Sequence, residues 1–118
     1  MIDITSRIRQ AVETAGINNG FCMLFVPHTT AAVTINESAD PSVKADILTV
    51  LDKIVPWENN YRHLEGNSAA HVKTSMMGAS EWIAVEQGQL VLGTWQGIFF
   101  CEFDGPRNRK LHIHFLKG

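Results

Sequence analysis

Three separate segments of the chain combine histidine with amide, hydroxyl and acidic side chains, the groups that bind ligands and transfer protons. The first segment, "VPHTTAAVTINE" at residues 26–37, contains His28, Asn36 and Glu37. Histidine changes charge near neutral pH and also ligates metals, so His28 could serve as a base or as a ligand. The alternative for this segment is a solvent-exposed strand face, where threonine is common.

The second segment, "HLEGNSAAH" at residues 63–71, contains His63, Glu65, Asn67 and His71. Two imidazoles and a carboxylate within nine residues could bind a divalent metal, although the spacing matches no standard zinc motif. The segment also leads into a helix start, where free backbone N–H groups and the helix dipole favour an anion. The alternative is a capping asparagine with surface histidines.

The third segment, "GTWQGIFFCEFDGPR" at residues 93–107, contains Gln96, Glu102, Asp104 and Arg107. Glu102 stands among phenylalanines, and a carboxylate in such a place should be paired or functional. We expect Arg107 either to pair with Glu102 or to bind a phosphate through two parallel hydrogen bonds. A purely structural ion pair is the alternative.

Composition limits the classes of protein that the chain can represent. Its 118 residues suit a single domain, 1–118, and its net charge of −2 without a run of Lys or Arg argues against nucleic-acid binding. No apolar segment approaches the length of a membrane span. Cys22 and Cys101 lie in apolar runs, which is typical of buried free thiols in a reducing compartment. We therefore expect a cytoplasmic protein with no membrane partner.

Three helices are predicted from apolar residues that recur every three or four positions. The first ends at Gly16, and the second ends before Pro56. The third covers residues 68–77 and is predicted to point Val72 and Met76 inward. The second helix has an apolar stripe that should face a core: Val43, Ile47, Val50 or Leu51, and Ile54.

Alternating apolar and polar residues predict a strand-rich remainder. The predicted strands are 21–26, 31–36, 81–86, 90–95, 97–104 and 111–116. The last two should form a hairpin around the "DGPRNR" turn. Runs of neighbouring strands mixed with helices indicate an α+β fold with a largely antiparallel sheet.

The three segments also resemble the signature blocks of the YjbQ-like family, of which some members are described as secondary thiamine-phosphate synthases. The matching blocks are "FVPHTTAAVTINE", "HLEGNSAAHVKTSMMG" and "LVLGTWQGIFFCEFDGPR". The resemblance implies an α+β half-barrel of mainly antiparallel strands with about three helices, assembled as a homotrimer. Members usually begin with an additional strand before the first helix. Here the first helix follows Met1 almost directly, so we expect that strand to be missing or to lie upstream, which would leave a sheet neighbour unpaired.

The resemblance implies an enzyme, a transferase, that joins a pyrimidine methyl diphosphate to a thiazole phosphate. We expect Glu102, His71 and His28 to be catalytic, and His28, His63 and His71 to bind a divalent metal, Mg²⁺ or Zn²⁺, with no organic cofactor. The expected substrate-binding residues are Asn36, Glu37, Glu65, Asn67, Gln96, Asp104 and Arg107. One alternative is a non-catalytic homotrimer that binds a metal or an anion. Another is a metal-dependent hydrolase, which requires the three histidines to converge on one ion.

Overall fold

Helix α1 follows Asp3, whose side chain binds the first helical residue, and the helix carries an apolar stripe. The Oδ1 atom of Asp3 accepts hydrogen bonds from the backbone N–H and the hydroxyl of Thr5, and Gly16 ends the helix with a φ of 67°. Ile8 and Val12 face the core. The computed structural model describes residues 1–118. Its elements are β1 (Ile2–Asp3), α1 (Thr5–Ala15), β2 (Gly20–Phe25), β3 (Ala31–Glu37), α2 (Pro41–Ile54), α3 (Ser68–Met77), β4 (Ser80–Glu86), β5 (Gln89–Leu90), β6 (Gln96–Glu102) and β7 (His112–Lys117).

The strands form two antiparallel sheets that share one core. The strand orders are β1-β6-β3 and β5-β4-β2-β7, and every pairing is antiparallel. Leu24 of β2 meets Val33 of β3 and Ile98 of β6 in that core, and α1 adds Ile8 and Val12. The predicted α+β, largely antiparallel fold with three helices is therefore confirmed.

Two predicted strand features are wrong. Strands β6 and β7 do not form a hairpin, because β6 pairs with β1 and β3 while β7 pairs with β2 in the other sheet. Residues 103–111 cross from one sheet to the other. The predicted strand 90–95 ends at Leu90, since a turn in which the Gln96 N–H binds the Gly93 carbonyl replaces its second half.

Strand β1 occupies only part of the β6 edge. Ile2 lies opposite Phe100 and Asp3 opposite Phe99, so a short strand does precede α1. The additional strand that the family resemblance implies stays a prediction.

Helix α3 presents a different face to the sheet from the predicted one. Val72 and Met76 are 41% and 52% exposed, whereas Ala69 and Ala70 are buried. Helix α3 packs on β3, and its small residues permit a close approach of the two backbones. Lys73 is buried because its ammonium group pairs with Asp52 of α2. The apolar character of Val72 and Met76 favours the opposite face of the helix, so the prediction of the buried face was wrong.

Helix α2 lies at the margin of the fold. Asp40 accepts a hydrogen bond from the Ser42 N–H and caps it, with Pro41 in the first turn. Of its predicted apolar stripe only Leu51 is buried, while Val50 and Ile54 are 54% and 58% exposed. The predicted helix is therefore confirmed, but most of its apolar stripe does not face a core within one chain. None of the helices has the length and apolar character needed to cross a bilayer.

We predict that Gly20→Ala destabilises the protein by about 2–3 kcal/mol. Gly20 has a φ of 149°, and an added Cβ would lie 2.1 Å from the carbonyl oxygen of Leu116 on the paired strand. Gly16→Ala is the matched control: its φ is also positive, at 67°, but nothing lies within 4 Å of the added carbon. It should cost about 1 kcal/mol. Urea unfolding measures both, and equal losses would contradict the steric explanation.

Candidate functional site

The second chemistry-bearing segment and parts of the first and the third meet at one end of the two sheets. Strand β3 begins where β6 ends, with Ala31 opposite Glu102. The 26–30 connection that precedes β3 and the 103–111 connection that follows β6 therefore leave the same edge. The end of α3 is held against β3, because the N–H groups of Val26 and Val33 bind the carbonyls of Ala79 and Gly78 just beyond that helix. The start of α3 is held by a hydrogen bond from Asn67 to Asp104.

These segments surround a cavity of about 680 Å³, which we call the histidine pocket. Its polar lining combines imidazole, amide, hydroxyl, carboxylate and guanidinium groups: His28, Thr29, Thr30, His63, Glu65, Asn67, His71, Arg107 and Arg109. Six of these residues, His28, His63, Glu65, Asn67, His71 and Arg107, are among the site residues predicted from the sequence. The volume lies within the usual range for small-molecule pockets.

Asn67 links the start of α3 to the 103–111 connection. Its Nδ2 donates to Asp104 Oδ2 at 2.7 Å, and Arg107 Nη2 donates to the same oxygen at 2.9 Å. The hydrogen bond from Asn67 is the main cause that lowers the pKa of Asp104, and Arg107 adds to it. Asp104 does not line the pocket. Its ionised carboxylate instead holds the side chains of Asn67 and Arg107 in place.

Asn67 does not cap α3 as predicted. Its side chain makes no capping hydrogen bond, because its amide nitrogen is directed to Asp104. The residue is 6% exposed, and its Oδ1 atom is buried without a partner. The first-turn N–H groups of α3 thus lack a side-chain acceptor next to an orphaned amide oxygen.

Glu102 pairs with Arg109, so the predicted pairing with Arg107 is wrong. Arg109 donates from Nε and Nη2 to the two carboxylate oxygens, at 2.7 and 2.5 Å, and from Nη2 to the hydroxyl of Thr30 at 2.8 Å. These hydrogen bonds lower the pKa of Glu102, against the partial burial that would raise it. Glu102 does not line the histidine pocket, since Arg109 takes that place.

Sequence reasoning missed Arg109 because it treated residues 107–110 as a turn. The signal was present: an apolar strand containing Glu102 requires a cation, and two arginines follow it within seven residues. The choice between them depends on how the connection crosses the sheets, which no local pattern encodes.

His28 is held by the backbone of the same connection. The N–H of Lys110 donates to His28 Nε2 at 2.8 Å, so Nε2 is the acceptor nitrogen and Nδ1 is left for a ligand. His28 and His71 are half-buried, and His63 is exposed. The rings of His63 and His71 stand edge to face, with centroids 5.3 Å apart.

The three histidines share the pocket but do not form a three-ligand metal site. No group of three or more His, Cys, Asp or Glu side chains is arranged to hold a metal ion, and His28 Nε2 is already occupied. The residues of one chain therefore do not fit a resident Mg²⁺ or Zn²⁺ held by His28, His63 and His71. The requirement of the metal-dependent hydrolase is not met within this chain.

Three predicted substrate-binding residues lie at the opposite end of the sheet. Glu37 pairs with Gln96, and Asn36 pairs with Gly97, whereas the histidine pocket adjoins the other end of β3. A strand rises about 3.3 Å per residue, which places Asn36 and Glu37 roughly 20 Å from the pocket. The Gln96 side chain accepts the Gly93 N–H, a local turn contact. A single chain therefore does not bring these residues to the histidines.

A sequence model described as "UPF0047 protein YjbQ-like" matches residues 1–118. The chain belongs to the YjbQ-like UPF0047 family. It is 53% identical over 117 residues to the UPF0047 protein YugU of Bacillus subtilis, covering 98% of this chain and 89% of that protein. It is 49% identical over 116 residues to a UPF0047 protein of Methanocaldococcus jannaschii, covering 98% and 84%.

Solved structures of the family share the fold. A Clostridium acetobutylicum protein, described as an uncharacterized conserved member of the YjbQ/UPF0047 family, is similar with a TM-score of 0.95 and 54% identity, covering 98% of this chain and 89% of that one. A Sulfolobus solfataricus YbjQ-like protein of unknown function gives a TM-score of 0.94 and 38% identity, covering 99% and 86%. The predicted family and fold are confirmed, and these descriptions name no reaction.

Arg109→Gln is expected to lower the free energy of unfolding by about 2–3 kcal/mol. The Arg109 and Glu102 side chains are only 11% and 20% exposed, so the change leaves a partly buried carboxylate without its cation. Arg107→Gln is the matched control in the same connection. Its side chain is 52% exposed, and its loss should cost less than about 1 kcal/mol. Urea unfolding at pH 7 measures both.

The effect of Arg109→Gln should also depend on pH. The pKa of Glu102 is lowered in the folded protein from 4.5, so the ion pair stabilises fully above that value and less as the pH falls through the folded pKa. The difference in the free energy of unfolding between wild type and Arg109→Gln should therefore decrease below pH 4.5. A difference that does not change with pH, or equal losses of stability for the two arginine variants, would contradict the assigned pairing.

Proposed function

We propose that the histidine pocket binds a phosphorylated small molecule and that the protein is an enzyme that acts on it. The supporting observation is that His28, His63, His71 and Arg107 converge with the uncapped start of α3 around one cavity. Guanidinium groups and free N–H groups at a helix start favour phosphate oxygens. Imidazoles are the side chains best suited to proton transfer near neutral pH.

Arg107 is the side chain that we assign to the phosphate. A guanidinium has five N–H donors, and Arg107 uses two on the carbonyl and the carboxylate of Asp104. The others are free to meet a ligand from a fixed direction. Arg109 also lines the pocket, but its Nε and Nη2 atoms are committed to Glu102 and Thr30.

Asn67 supports a ligand that carries a hydrogen-bond donor as well as a phosphate. Its buried Oδ1 is an acceptor with no partner, and leaving such an atom unpaired costs about 1–3 kcal/mol. An amine or hydroxyl on the ligand, reached by a small shift of the amide, would satisfy it. Phosphate oxygens would occupy the first-turn N–H groups of α3 at the same time.

The reaction that we propose is the formation of thiamine phosphate, to which the family resemblance points. The thiazole nitrogen forms a bond to the methylene carbon of the pyrimidine diphosphate while the C–O bond to the diphosphate breaks, and the electron pair leaves with pyrophosphate. Arg107 and the start of α3 would stabilise the departing charge. The pyrimidine amine is a donor of the kind that Asn67 Oδ1 requires.

Non-catalytic binding of the same anion is the second candidate, and the state of the carboxylates favours it. Glu102 and Asp104 are held ionised by Arg109 and Asn67, with lowered pKa values. An ionised, paired carboxylate has no proton to donate and is a weakened base. Catalysis would therefore depend on the histidines, assisted only by the exposed Glu65.

We further propose that the protein assembles as a homotrimer. Its exposed apolar surface supports this: Trp82 and Leu116 on the outer face of the four-stranded sheet are 61% and 60% exposed, and Val50 and Ile54 of α2 are 54% and 58% exposed. Apolar patches of this kind mark association surfaces. A neighbouring chain would also be the one route by which the distant Asn36 and Glu37 could approach a histidine pocket.

We expect purified protein to bind inorganic pyrophosphate and to form thiamine phosphate from the two phosphorylated precursors with Mg²⁺ present. Arg107→Gln should weaken pyrophosphate binding about tenfold, because it removes charge-assisted hydrogen bonds. His71→Ala should lower the turnover rate about 100-fold, the smaller end of the effect of losing an acid–base group. Calorimetry measures the first value and product chromatography the second.

His114→Ala is the control for His71→Ala, because His114 is exposed on β7 and lies outside the pocket. It should leave both measurements unchanged. Pyrophosphate binding without product would select the binding-protein candidate. An absence of binding, or equal effects of the two histidine variants, would reject the pocket as the site.

The homotrimer is tested by light scattering after gel filtration. We expect a mass of three times 13.1 kDa. Trp82→Ser should shift it toward one chain, because it removes the most exposed aromatic ring of the outer sheet face. Lys117→Ser, on the exposed end of β7, is the control and should keep the mass. A wild-type mass of one chain would reject the assembly.

A further inference from the structure

His28 has a hydrogen-bond partner that can only donate. The backbone nitrogen of Lys110 lies 2.8 Å from His28 Nε2 and donates its N–H to it. A donor needs a lone pair opposite it, so Nε2 must be the unprotonated ring nitrogen. A neutral imidazole carries its one proton on the other nitrogen. The contact therefore fixes neutral His28 as the tautomer with its N–H at Nδ1.

The segment that carries the Lys110 N–H is tied to the segment that carries His28. Arg109 precedes Lys110, and its Nη2 donates to the carbonyl and the hydroxyl of Thr30, at 3.3 and 2.8 Å. Thr30 lies two residues after His28, and the Arg109 guanidinium is itself held by Glu102. Three hydrogen bonds thus join the two segments. They keep the N–H of Lys110 directed at Nε2.

This tautomer excludes two roles that a histidine could have in the pocket. A general base accepts a proton on a nitrogen with a free lone pair, but the lone pair of Nε2 already faces the Lys110 N–H. A metal-bound imidazole normally donates its second ring N–H to an acceptor, whereas the second nitrogen here faces a donor. The proton-transfer role proposed above therefore belongs to His63 and His71.

The Nδ1–H of His28 is a donor without a partner in the chain, because the ring makes its only hydrogen bond through Nε2. His28 is half-buried and lines the histidine pocket with Arg107. An N–H donor forms its strongest hydrogen bonds with an ionised acceptor. Phosphate oxygens are the ionised acceptors that we propose for this pocket, so they are the matching partner for the Nδ1–H.

We propose that His28 binds the ligand of the histidine pocket as a fixed donor, with its Nδ1–H directed to an oxygen of the phosphorylated molecule. This inference rests on the function proposed above and deepens it. It assigns a second phosphate contact beside that of Arg107, and it removes His28 from the acid–base groups. The pocket thus recognises phosphate through a neutral imidazole as well as through a guanidinium.

The tautomer is measured first, in the free protein. A long-range ¹H–¹⁵N correlation spectrum at about pH 8, where free imidazoles are neutral, distinguishes a protonated from an unprotonated ring nitrogen. The signals of His28 are identified by their loss in His28→Asn. We expect Nδ1 to carry the proton. The exposed His114 is the internal reference and should show the mixture of tautomers of a free imidazole.

Two variants of nearly equal shape then test the donor. Asparagine can place an amide nitrogen where Nδ1 lies, whereas leucine has no donor, and both lose the contact at Nε2. His28→Asn should bind pyrophosphate within about threefold of wild type, and His28→Leu about tenfold more weakly. His28→Asn should also keep the rate of thiamine phosphate formation within about threefold, whereas loss of a general base lowers such a rate about 100-fold or more. Calorimetry and product chromatography measure these values.

The outcomes separate this inference from the proposed function. Equal losses of binding in the two variants would reject the donor, and a rate loss in His28→Asn as large as that in His71→Ala would make His28 a base. A proton on Nε2, in a protein that binds pyrophosphate, would reject this inference alone. An absence of pyrophosphate binding to the wild type would reject the proposed function and this inference with it. If urea unfolding shows that His28→Leu does not fold, the tautomer and the rate of His28→Asn still decide.

Discussion

The end of the fold that carries the histidine pocket depends on one largely buried ion pair, that of Glu102 with Arg109. Arg109 binds both carboxylate oxygens of Glu102 and also the hydroxyl of Thr30. One guanidinium thus joins the end of β6, the connection that follows it and the residue that precedes β3. A carboxylate in this place without its partner would be strongly unfavourable, because both side chains are largely withdrawn from water. The pair therefore stabilises mainly by making other paths of the connection costly.

Once this path is set, the connection forms one wall of the histidine pocket. The N–H of Lys110 donates to His28 Nε2. Arg107 is tied to Asp104, and Asp104 is tied to Asn67 at the start of α3. Polar groups from distant parts of the chain are thus positioned by backbone and ion-pair contacts rather than by a packed apolar core.

The alternation of β6 was predictable from the sequence, because period-two patterning survives in the structure. Ile98 and Phe100 join the main core, and Phe99 and Cys101 form the smaller cluster with Ala32. The sequence also predicted that Glu102 needs a cationic partner. It did not predict which arginine is that partner, because Arg107 and Arg109 are two residues apart and the choice depends on the path of the connection between the two sheets.

The composition of the site was predictable only where its residues precede or follow regular elements. The histidines, Glu65, Asn67 and Arg107 meet because β3 starts where β6 ends. Asn36 and Glu37 share a sequence block with His28, yet the straight strand between them carries them away. The predicted orientation of α3 was wrong for another reason. The helix buries Ala69, Ala70 and Lys73, whereas a ranking of side chains by apolar character favours burial of Val72 and Met76. An aliphatic lysine stem can cover apolar surface while its head finds a carboxylate.

The start of α3 leaves polar groups without side-chain partners, and this observation supports the proposed binding site. If the Asn67 side chain capped the helix, it would stabilise the fold by about 1 kcal/mol. Here the amide nitrogen is given to Asp104, and both the first helical turn and Asn67 Oδ1 are left without side-chain partners. Buried polar groups in native proteins usually meet a partner from the chain, from ordered water or from a ligand. The groups left open here are donors on the helix and an acceptor on the asparagine, so a single ligand that satisfied both would combine an anionic oxygen with an N–H or O–H.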